Sequence, residues 1–493
     1  MLELFKLLII CIYLLSALAL MLYGLNAYVM MFLYKKGRHK AALNRQNIIG
    51  TFDYNNVKKY PFVTTQLPVY NEYNVVERIL RACCDMNYPE GLHEIQVLDD
   101  SNDETAQLID GVVSELSEKG HNIKVIRRAD RTGYKAGALA YGMETAEGEL
   151  LAVFDADFVP PSDYLLKAVP YFLSDERLGL VQARWGHLNR NYSLLTRAQS
   201  IGIDGHFMIE QSARNWGGLY MNFNGTAGIW RKDAIIDGGG WQWDTLTEDM
   251  DLSYRAQFKG WRTLFIPDLV VPAEIPEDIN AFKSQQFRWA KGSIETAKKL
   301  FPFVLRMDVP VFKKVEAFFH LTHYFVHPIM LILAILALPV MSFIEQGPGP
   351  FLFAVIAVIL LFSMSAPSAL YLMSQRAAYR NWFVRILWLP VLVVIGTGIA
   401  VSNSRAVFEA IIGKKSGFIR TPKKGDVQQK NYKADIPVSA LIEIALGCYC
   451  TISFFAYMAY GKYLIGPFLA IYAIGFLFTG LLTVAHVRGV SNP

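Results

Sequence analysis

Five long stretches of this 493-residue chain contain no Asp, Glu, Lys or Arg. Each is about as long as a helix that crosses the roughly 30 Å hydrocarbon layer of a bilayer. They are residues 7–34, 317–344, 351–375, 444–461 and 463–487. Residues 35–316, between the first stretch and the second, carry charges throughout and are typical of a soluble domain. The pattern predicts one membrane anchor, then a soluble domain, then a helical membrane bundle.

Composition excludes several other classes of protein. Apolar residues make up 53% of the chain and charged residues only 18%, against about 25% in an average soluble protein. An intrinsically disordered chain is therefore excluded. The net charge of +5 is spread over 48 basic and 43 acidic residues without a basic tract, so we expect no nucleic-acid partner. The five cysteines show neither zinc-type spacing nor a disulfide framework.

The basic flank of the first apolar stretch predicts the orientation of the chain. Stretch 7–34 is too long for a cleaved signal sequence and reads as a signal anchor. Its C-terminal flank is basic, with Lys35, Lys36, Arg38, Lys40 and Arg45. Because basic flanks stay on the cytosolic side, we expect the soluble domain to lie in the cytosol.

A sixth apolar segment, residues 386–404, is ambiguous. Hydropathy alone allows it to span the membrane, but spanning would export a loop with eight basic residues between positions 405 and 433. We therefore expect an interfacial or re-entrant helix, which also returns the C-terminus to the cytosol.

The soluble block alternates apolar strand-like runs with helical patterns. The runs cover 62–70, 94–98, 123–126 and 150–154, and the helical patterns between them cover 75–86, 104–119 and 134–145. This alternation predicts an α/β fold with a parallel sheet. Polar residues follow three of these strands, at 70–72, 99–101 and 155–157. Since ligands of open α/β sheets bind at the carboxyl ends of strands, we expect these residues to share one cleft.

The same cleft lacks the usual nucleotide motifs, because neither a dinucleotide fingerprint nor a P-loop is present. Lys135 is its candidate cation for a diphosphate. Asp155 and Asp157, one residue apart, suit a hard divalent cation that bridges carboxylates and phosphate oxygens. The same two aspartates also suit a turn before Pro160, and the residues alone leave both interpretations open.

Two later clusters carry further candidates. Glu248 and Asp249 follow Thr247, which suits a helix cap, yet Asp249 also suits a general base. Residues 285–289 suit either a basic amphipathic helix on the membrane surface or a ligand site. In the second case Trp289 offers a flat platform to a sugar and Arg288 contacts a phosphate.

Taken together and in order, these motifs resemble a known family. The runs are QLPVYNE (66–72), DDS (99–101), D-x-D (155–157), TED (247–249) and Q-x-x-R-W (285–289), joined by DRTGYKAGAL (130–139), LVQARW (180–185) and FNGTAG (223–228). They resemble the membrane-integrated processive β-glycosyltransferases of glycosyltransferase family 2. The likeness is greatest to cellulose-synthase-like proteins of the glucomannan or mannan synthase type.

That resemblance implies a GT-A (Rossmann-like) domain that transfers a sugar from a nucleotide donor with inversion and with Mg²⁺ or Mn²⁺. It implies Asp249 as the catalytic base and Asp155 and Asp157 as metal ligands. The nucleotide-sugar site implied by the family comprises Tyr70, Glu72, Asp99, Asp100, Lys135, Asp155, Gln285 and Arg288. The implied acceptor site comprises Phe223, Asn224, Gly225, Thr226, Glu248 and Trp289. A gating loop would include Phe418, Thr421 and Lys423, with Arg420 where the family's loop has Val.

The resemblance also organises the chain into segments. We expect a transmembrane anchor (1–34), a cytosolic GT-A domain (35–278), interfacial helices (279–316), two transmembrane helices (317–375), an interfacial or re-entrant segment with the gating loop (376–435), and two transmembrane helices (436–493). We expect no cyclic-dinucleotide-binding domain after the last helix.

The predicted activity is processive transfer of glucose from UDP or mannose from GDP to a growing β-linked polysaccharide at the plasma (inner) membrane, with export as an added hypothesis. The alternatives are a non-processive enzyme that glycosylates a lipid and an inactive polysaccharide conduit. The expected partners are a nucleotide sugar, a polysaccharide or lipid acceptor, and the bilayer. The sugar, the linkage and the oligomeric state stay open.

Overall fold

The computed structural model describes residues 1–56, 60–343, 350–415, 437–463 and 465–487. A single long helix, α1 (Leu2–Thr51), contains the first apolar stretch and continues through its basic flank. An α/β region follows it, and further helices complete the described part of the chain.

The α/β region is built on one seven-stranded sheet. Its strands are β1 (Val63–Val69), β2 (His93–Asp99), β3 (Ile123–Ile126), β4 (Leu150–Val153), β5 (Leu178–His187), β6 (Gly228–Arg231) and β7 (Arg262–Ala273). Their order across the sheet is β3-β2-β1-β4-β6-β5-β7. The four predicted strands are all present, and β1 pairs in parallel with both β2 and β4.

The parallel arrangement predicted from the first four strands does not extend to β6, a strand outside that prediction. This short strand inserts between β4 and β5 and is antiparallel to both of them. β5 and β7 are again parallel to each other. The alternation of strand and helix up to residue 157 predicts parallel neighbours, but β6 follows a long excursion of the chain after β5 and enters the sheet in the opposite direction. The result is a mixed sheet of the GT-A type.

Helices cover the sheet and extend from it. They are α2 (Tyr73–Cys84), α3 (Thr105–Glu118), α4 (Tyr134–Glu144), α5 (Tyr164–Ser174), α6 (Leu194–Gly205), a π-helix (His206–Gln211), α7 (Ser212–Trp216), α8 (Lys232–Asp237), α9 (Glu248–Phe258) and α10 (Ile279–Arg306). Two apolar cores flank the sheet, one packed under α2, α3 and α5 and the other under α4, α8 and α9.

The remaining helices follow α10. They are α11 (Val311–Thr322), a 3₁₀ turn (His323–Phe325), α12 (Val326–Phe343), α13 (Pro350–Ala378), α14 (Trp382–Arg385), a second 3₁₀ turn (Ile386–Trp388), α15 (Leu389–Gly398), α16 (Ala400–Ile411), α17 (Val438–Ala459) and α18 (Gly466–Val487). α13 covers the predicted stretch 351–375.

Several of these helices could cross a membrane. Within the described residues, four segments are long and apolar enough: Leu2–Thr51, Val311–Phe343, Val438–Ala459 and Gly466–Val487. The pair Trp382–Gly398 and Ala400–Ile411 also qualifies if it is one span, although the two parts meet at a bend of 44°. This bent pair contains the ambiguous segment 386–404, whose interfacial or re-entrant position stays a prediction.

Ion pairs fasten α10 to the helices of the bundle. Lys283 Nζ lies 2.6 Å from Glu443 Oε2 of α17 and 2.7 Å from Thr483 Oγ1 of α18. About two turns further along on α10, Lys291 is fully buried and lies 3.4 Å from Glu409 Oε2 of α16. Because a buried charge is costly unless it is paired, these contacts hold α10 in a defined position against the bundle.

Candidate active site

A cleft opens at the carboxyl ends of the central strands, where the sequence analysis expects it. It encloses about 1320 Å³ of atom-free space, open solvent included. Polar residues at the ends of β1, β2, β4, β5 and β7, in the loop after β3, and on α4, α9 and α10 line it. The predicted site residues on its wall are Tyr70, Glu72, Asp100, Lys135, Asp155, Asp157, Asn224, Gly225, Glu248, Asp249, Gln285, Arg288 and Trp289. The tertiary structure thus gathers carboxylates as far apart in the chain as Glu72 and Glu274 into one cavity.

The strand-end side of the cleft holds Asp100 in a bidentate ion pair. Arg128 Nε lies 2.8 Å from Asp100 Oδ1, and Arg128 Nη2 lies 2.6 Å from Oδ2. Next to them the Arg131 guanidinium stacks on the ring of Tyr70, 3.2 Å from the ring centroid. Both arginines follow β3, at the same sheet edge as the aspartate. This arrangement fixes the orientation of the Asp100 carboxylate and places an aromatic face beside it.

Asp99, although predicted for the same site, is buried beneath the cleft wall rather than on it. Its Oδ2 accepts a hydrogen bond from Arg127 Nε at 2.7 Å, and its Oδ1 accepts one from the backbone N–H of Ser101 at 2.9 Å. The structure therefore assigns Asp99 a local contact that shapes the turn after β2. Successive residues of a strand point to opposite faces, which separates Asp99 from Asp100.

Lys135, on α4, lies at the centre of the cleft. Its Nζ is 2.5 Å from Asp155 Oδ1 and donates a hydrogen bond to the carbonyl oxygen of Gly225 at 2.7 Å. Burial acts to lower the pKa of Lys135, but the carboxylates of Asp155 and Glu248 outweigh burial, so that the pKa is raised. The ammonium group is therefore a permanent positive charge in the cleft.

Asp155 and Asp157 lie in the turn after β4, and both line the cleft. The backbone N–H of Asp155 donates to Thr226 Oγ1 at 2.9 Å, which fixes the turn. No group of three or more His, Cys, Asp or Glu side chains is arranged to hold a metal within the described ranges. A Mg²⁺-type ion commonly binds one or two carboxylates and completes its shell with substrate phosphates and water, so these two aspartates fit a metal that binds together with a diphosphate.

The charge balance of the cleft supports that fit. Seven carboxylates line it: Glu72, Asp100, Asp155, Asp157, Glu248, Asp249 and Glu274. Two of these carboxylates already have an arginine partner, since Asp100 pairs with Arg128 and Glu274 pairs with Arg78. The remaining five share the wall with three cations, Arg131, Lys135 and Arg288. A nucleoside diphosphate is itself an anion, and a site with this excess of negative charge repels it unless a further cation is bound.

Asp249, the predicted base, lies in the first turn of α9 and faces the cleft. Its Oδ1 accepts a hydrogen bond from the backbone N–H of Met250 at 2.7 Å. Burial, reinforced by the neighbouring Glu248 carboxylate, raises the pKa of Asp249 to about 7. A carboxylate with this pKa accepts a proton readily near neutral pH, which is the property that a general base needs.

Gly225 leaves room for the side chains of both Asp249 and Lys135 beside its backbone. Its φ is +80°, and a Cβ on this residue would lie 3.1 Å from Asp249 Oδ2 and 3.5 Å from Lys135 Nζ. The left-handed backbone and the lack of space both favour glycine here. The neighbouring Ala227 also has a positive φ, of 54°, so the backbone is strained beside the site.

The other residues of the predicted acceptor segment divide into lining and supporting positions. Asn224 lines the cleft, and its Oδ1 accepts a hydrogen bond of 2.5 Å from Gln211 of the π-helix. Phe223 and Thr226 are fully buried. Phe223 packs edge-on against Trp230, with ring centroids 5.8 Å apart. We conclude that Phe223 and Thr226 shape the segment from below the surface of the cleft.

α10 forms the opposite wall with Gln285, Arg288 and Trp289. Burial lowers the pKa of Arg288, and the carboxylates of Glu248 and Asp155 oppose that effect. The Trp289 ring lies 6.5 Å from that of Trp185, centroid to centroid. Thr247 occupies the N-cap position of α9, as the sequence suggests, but its side chain makes no cap hydrogen bond. Its hydroxyl instead lies 3.0 Å from Thr296 Oγ1 of α10.

Sequence reasoning missed the residues that hold the predicted ones in place. Arg128 follows β3 directly, so the strand-end rule applied to β3 would have found it. His187 ends β5, lines the cleft and lies 3.1 Å from the buried Asp204. Asp204 also accepts hydrogen bonds from Gln375 and Arg385, contacts that no local pattern predicts. The predicted gating residues Phe418, Thr421 and Lys423 lie outside the described residues.

Comparison with known proteins decides the family. A curated relative, glucomannan 4-beta-mannosyltransferase 9 from Arabidopsis thaliana, is 33% identical over 87% of this chain and 82% of its own length. The family model described as glycosyltransferase like family 2 matches residues 61–292. The chain belongs to glycosyltransferase family 2. It is a glycosyltransferase, and the matched region contains the sheet and the whole cleft.

A second curated relative agrees with this assignment. A probable glucomannan 4-beta-mannosyltransferase 7 from Oryza sativa subsp. japonica is 42% identical over 52% of this glycosyltransferase and 45% of its own length. Among solved structures, the mannosyltransferase PcManGT from Pyrobaculum calidifontis, in complex with GDP-Man and Mn²⁺, is 18% identical with a TM-score of 0.49. That comparison covers 79% of this chain and 99% of the other.

Proposed function

We propose that this glycosyltransferase transfers mannose from GDP-mannose to a growing β-linked polysaccharide, with inversion at the anomeric carbon. The observation that carries the proposal is the juxtaposition of Asp249, a carboxylate with a pKa of about 7, with Lys135 and Asp155 in one cleft. Mannose is supported by the names of the relatives that cover most of the chain. UDP-glucose is the donor that the test must distinguish from it.

The chemistry follows from the positions of these charges. Asp249 takes the proton of an acceptor hydroxyl while the oxygen of that hydroxyl attacks the anomeric carbon of the donor. The bond from that carbon to the diphosphate oxygen breaks at the same time. Attack from the face opposite the leaving group converts an α-linked donor into a β-linked product. Lys135 and Arg288 stabilise the negative charge that develops on the diphosphate. Trp289 offers its ring to the sugar at the acceptor end.

We propose Mg²⁺ or Mn²⁺ as the cofactor, held by Asp155 and Asp157. When bound, such an ion supplies a Lewis-acid charge to the diphosphate oxygens. The excess of carboxylates on the cleft wall supports this requirement.

Processive synthesis coupled to export is the further part of the proposal. It is supported by α10, since this one helix carries Gln285, Arg288 and Trp289 at the cleft and pairs with α16, α17 and α18 through buried ions. A polysaccharide cannot cross hydrocarbon unaided because its hydroxyl groups would lose their hydrogen bonds. We further propose that the cleft faces the cytosol at the plasma (inner) membrane, since the basic flank of α1 favours that orientation.

The test uses the purified full-length protein with labelled GDP-mannose, GDP-glucose and UDP-glucose, each with Mg²⁺, Mn²⁺ or a chelator. The proposal predicts a ladder of β-linked mannose oligomers that depends on GDP-mannose and on the metal. Linkage analysis and digestion with a β-mannanase identify the product. A product that is a single glycolipid would contradict processive synthesis. Transfer from UDP-glucose alone would contradict GDP-mannose as the donor. Sealed vesicles with outward-facing clefts test export, because polymer found only outside them would contradict it.

A further inference from the structure

A second cavity lies away from the cleft, in a groove between α1 and α13. We call it the α1–α13 groove, and its atom-free space is about 1430 Å³, open solvent included. Its wall changes in character along its length. The apolar part is lined by Met31, Phe32, Leu372 and Met373, and the basic part by Lys35, Arg38 and Arg376.

The two helices end their apolar runs at the same level. On α1 the uncharged stretch ends at Tyr34, just before Lys35, and on α13 it ends at Gln375, just before Arg376. Below that level Tyr28 OH lies 3.1 Å from Ser365 Oγ, which fixes the register between the helices. The first cations after the two apolar runs, Lys35 and Arg376, therefore meet where an apolar span gives way to water, which is the depth of lipid headgroups.

The three cations are available to a ligand. Lys35, Arg38 and Arg376 are all exposed, and none of them forms an ion pair with another residue in the described part of the chain. Each of the deeply buried cations on α10 has a carboxylate partner, as Lys283 does in Glu443. Three unpaired positive charges on one groove repel each other, and an anion placed among them relieves that repulsion.

We propose that the α1–α13 groove binds an anionic phospholipid of the surrounding bilayer. The headgroup phosphate contacts Lys35, Arg38 and Arg376, and the start of an acyl chain lies against Phe32, Leu372 and Met373. Charge complementarity and the apolar floor both favour a lipid over a free phosphate, which would use only the basic end of the groove. Basic pockets between transmembrane helices on the cytoplasmic side are a recognised type of lipid site. This binding does not depend on the transfer reaction.

The test measures bound phosphatidylglycerol by native mass spectrometry of the full-length protein in mixed phosphatidylcholine and phosphatidylglycerol micelles. The variant Lys35→Gln/Arg38→Gln/Arg376→Gln should bind it on the order of 100-fold more weakly, from roughly fivefold per cation. The matched control Lys36→Gln/Lys40→Gln/Arg306→Gln removes the same charge at exposed positions outside the groove and should retain binding. Equal loss in both variants would overturn the proposal, as would full competition by glycerol phosphate.

A second measurement keeps the proposal testable if the triple variant does not fold. A photoreactive p-benzoylphenylalanine replaces Leu372 in the groove or, as a control, the exposed Leu361 about three turns deeper on α13. Cross-linking in vesicles should enrich phosphatidylglycerol over phosphatidylcholine several-fold at position 372 and not at position 361. Equal capture of the two lipids at position 372 would contradict a specific anionic site.

Discussion

The two ends of the cleft treat their carboxylates in opposite ways. At the strand end, Asp100 accepts hydrogen bonds from both Nε and Nη2 of the Arg128 guanidinium group. At the α9 end, Asp249 has a carboxylate neighbour, Glu248, and burial raises its pKa to about 7. A carboxylate held in a bidentate pair keeps its position, which suits binding. A desolvated carboxylate beside a like charge is ready to take up a proton, which suits chemistry.

The largest effect expected from this contrast is that of Asp249→Asn. An amide cannot accept the proton of the acceptor hydroxyl, so kcat should fall by about 10²–10⁴. Binding of GDP, measured by calorimetry, should change little because the strand end is untouched. A variant that keeps its turnover would remove Asp249 from the role of base.

Removal of the divalent ion should cause the second-largest loss of transfer activity. A chelator should reduce transfer by at least about 100-fold, and added Mg²⁺ or Mn²⁺ should restore it, since the diphosphate would otherwise enter an acidic cleft without its counter-ion. Asp157→Asn should weaken the restoration and raise the metal concentration needed for half-maximal rate. Full activity of the metal-free protein would show that Lys135 and Arg288 suffice.

Substitutions of the adjacent Arg128 and Arg127 test whether the ion pair of Asp100 matters for donor binding at the strand end. Arg128→Ala should raise KM for the donor by about 10–100-fold with a smaller change in kcat, because Asp100 loses two charged hydrogen bonds, each of a kind worth roughly 1.5–3 kcal/mol. Arg127→Ala is the matched control, since Arg127 pairs with Asp99 and Asp110 away from the cleft. It should lower thermal stability and leave KM unchanged. If both variants raise KM equally, the result would contradict a role for the Arg128-oriented Asp100 carboxylate in donor binding.

The pH dependence of kcat/KM tests the role of Asp249 at the α9 end through a shift in midpoint, which is a smaller effect than a loss of activity. Asp249 must be ionised to act as a base, so kcat/KM should rise with pH and level off above about 7. Glu248→Gln removes a negative neighbour that raises the pKa of Asp249, so the midpoint of this rise should move to lower pH. Rates measured at low donor concentration from about pH 5 to about pH 9 check this, because that range extends roughly two pH units to either side of the pKa of Asp249. An unmoved midpoint would mean that burial alone sets the pKa.

The smallest effect on the reaction is expected from Glu409→Gln, on α16. It removes the carboxylate partner of the buried Lys291 and should cost about 1–3 kcal/mol of stability. The midpoint of the pH profile should stay in place because Asp249 keeps its surroundings. Thermal unfolding and the pH profile of the same sample measure both, and a shifted profile would show that the bundle tunes the base itself.

Much of the site was predictable from the sequence because strand ends meet at one edge. The positions of Tyr70, Asp100 and Asp155 follow from the alternation of strands and helices, and the structure brings them to one wall. The same rule fails to separate Asp99 from Asp100, since it does not tell which of two neighbours faces the cleft. It also fails for β6, whose direction depends on a long excursion rather than on a local pattern.

The sequence by itself determined the number of apolar segments, the α/β character of the block between them and the residues that carry the chemistry, because these depend on composition, periodicity and local spacing. Only the tertiary structure decided which charges are neighbours. The Arg128 fork on Asp100, the approach of Lys135 to Asp155 and the Lys283–Glu443 pair join residues that are 20 to 160 positions apart. Electrostatic interactions depend on distance in space and on burial, and neither quantity exists until the chain has folded.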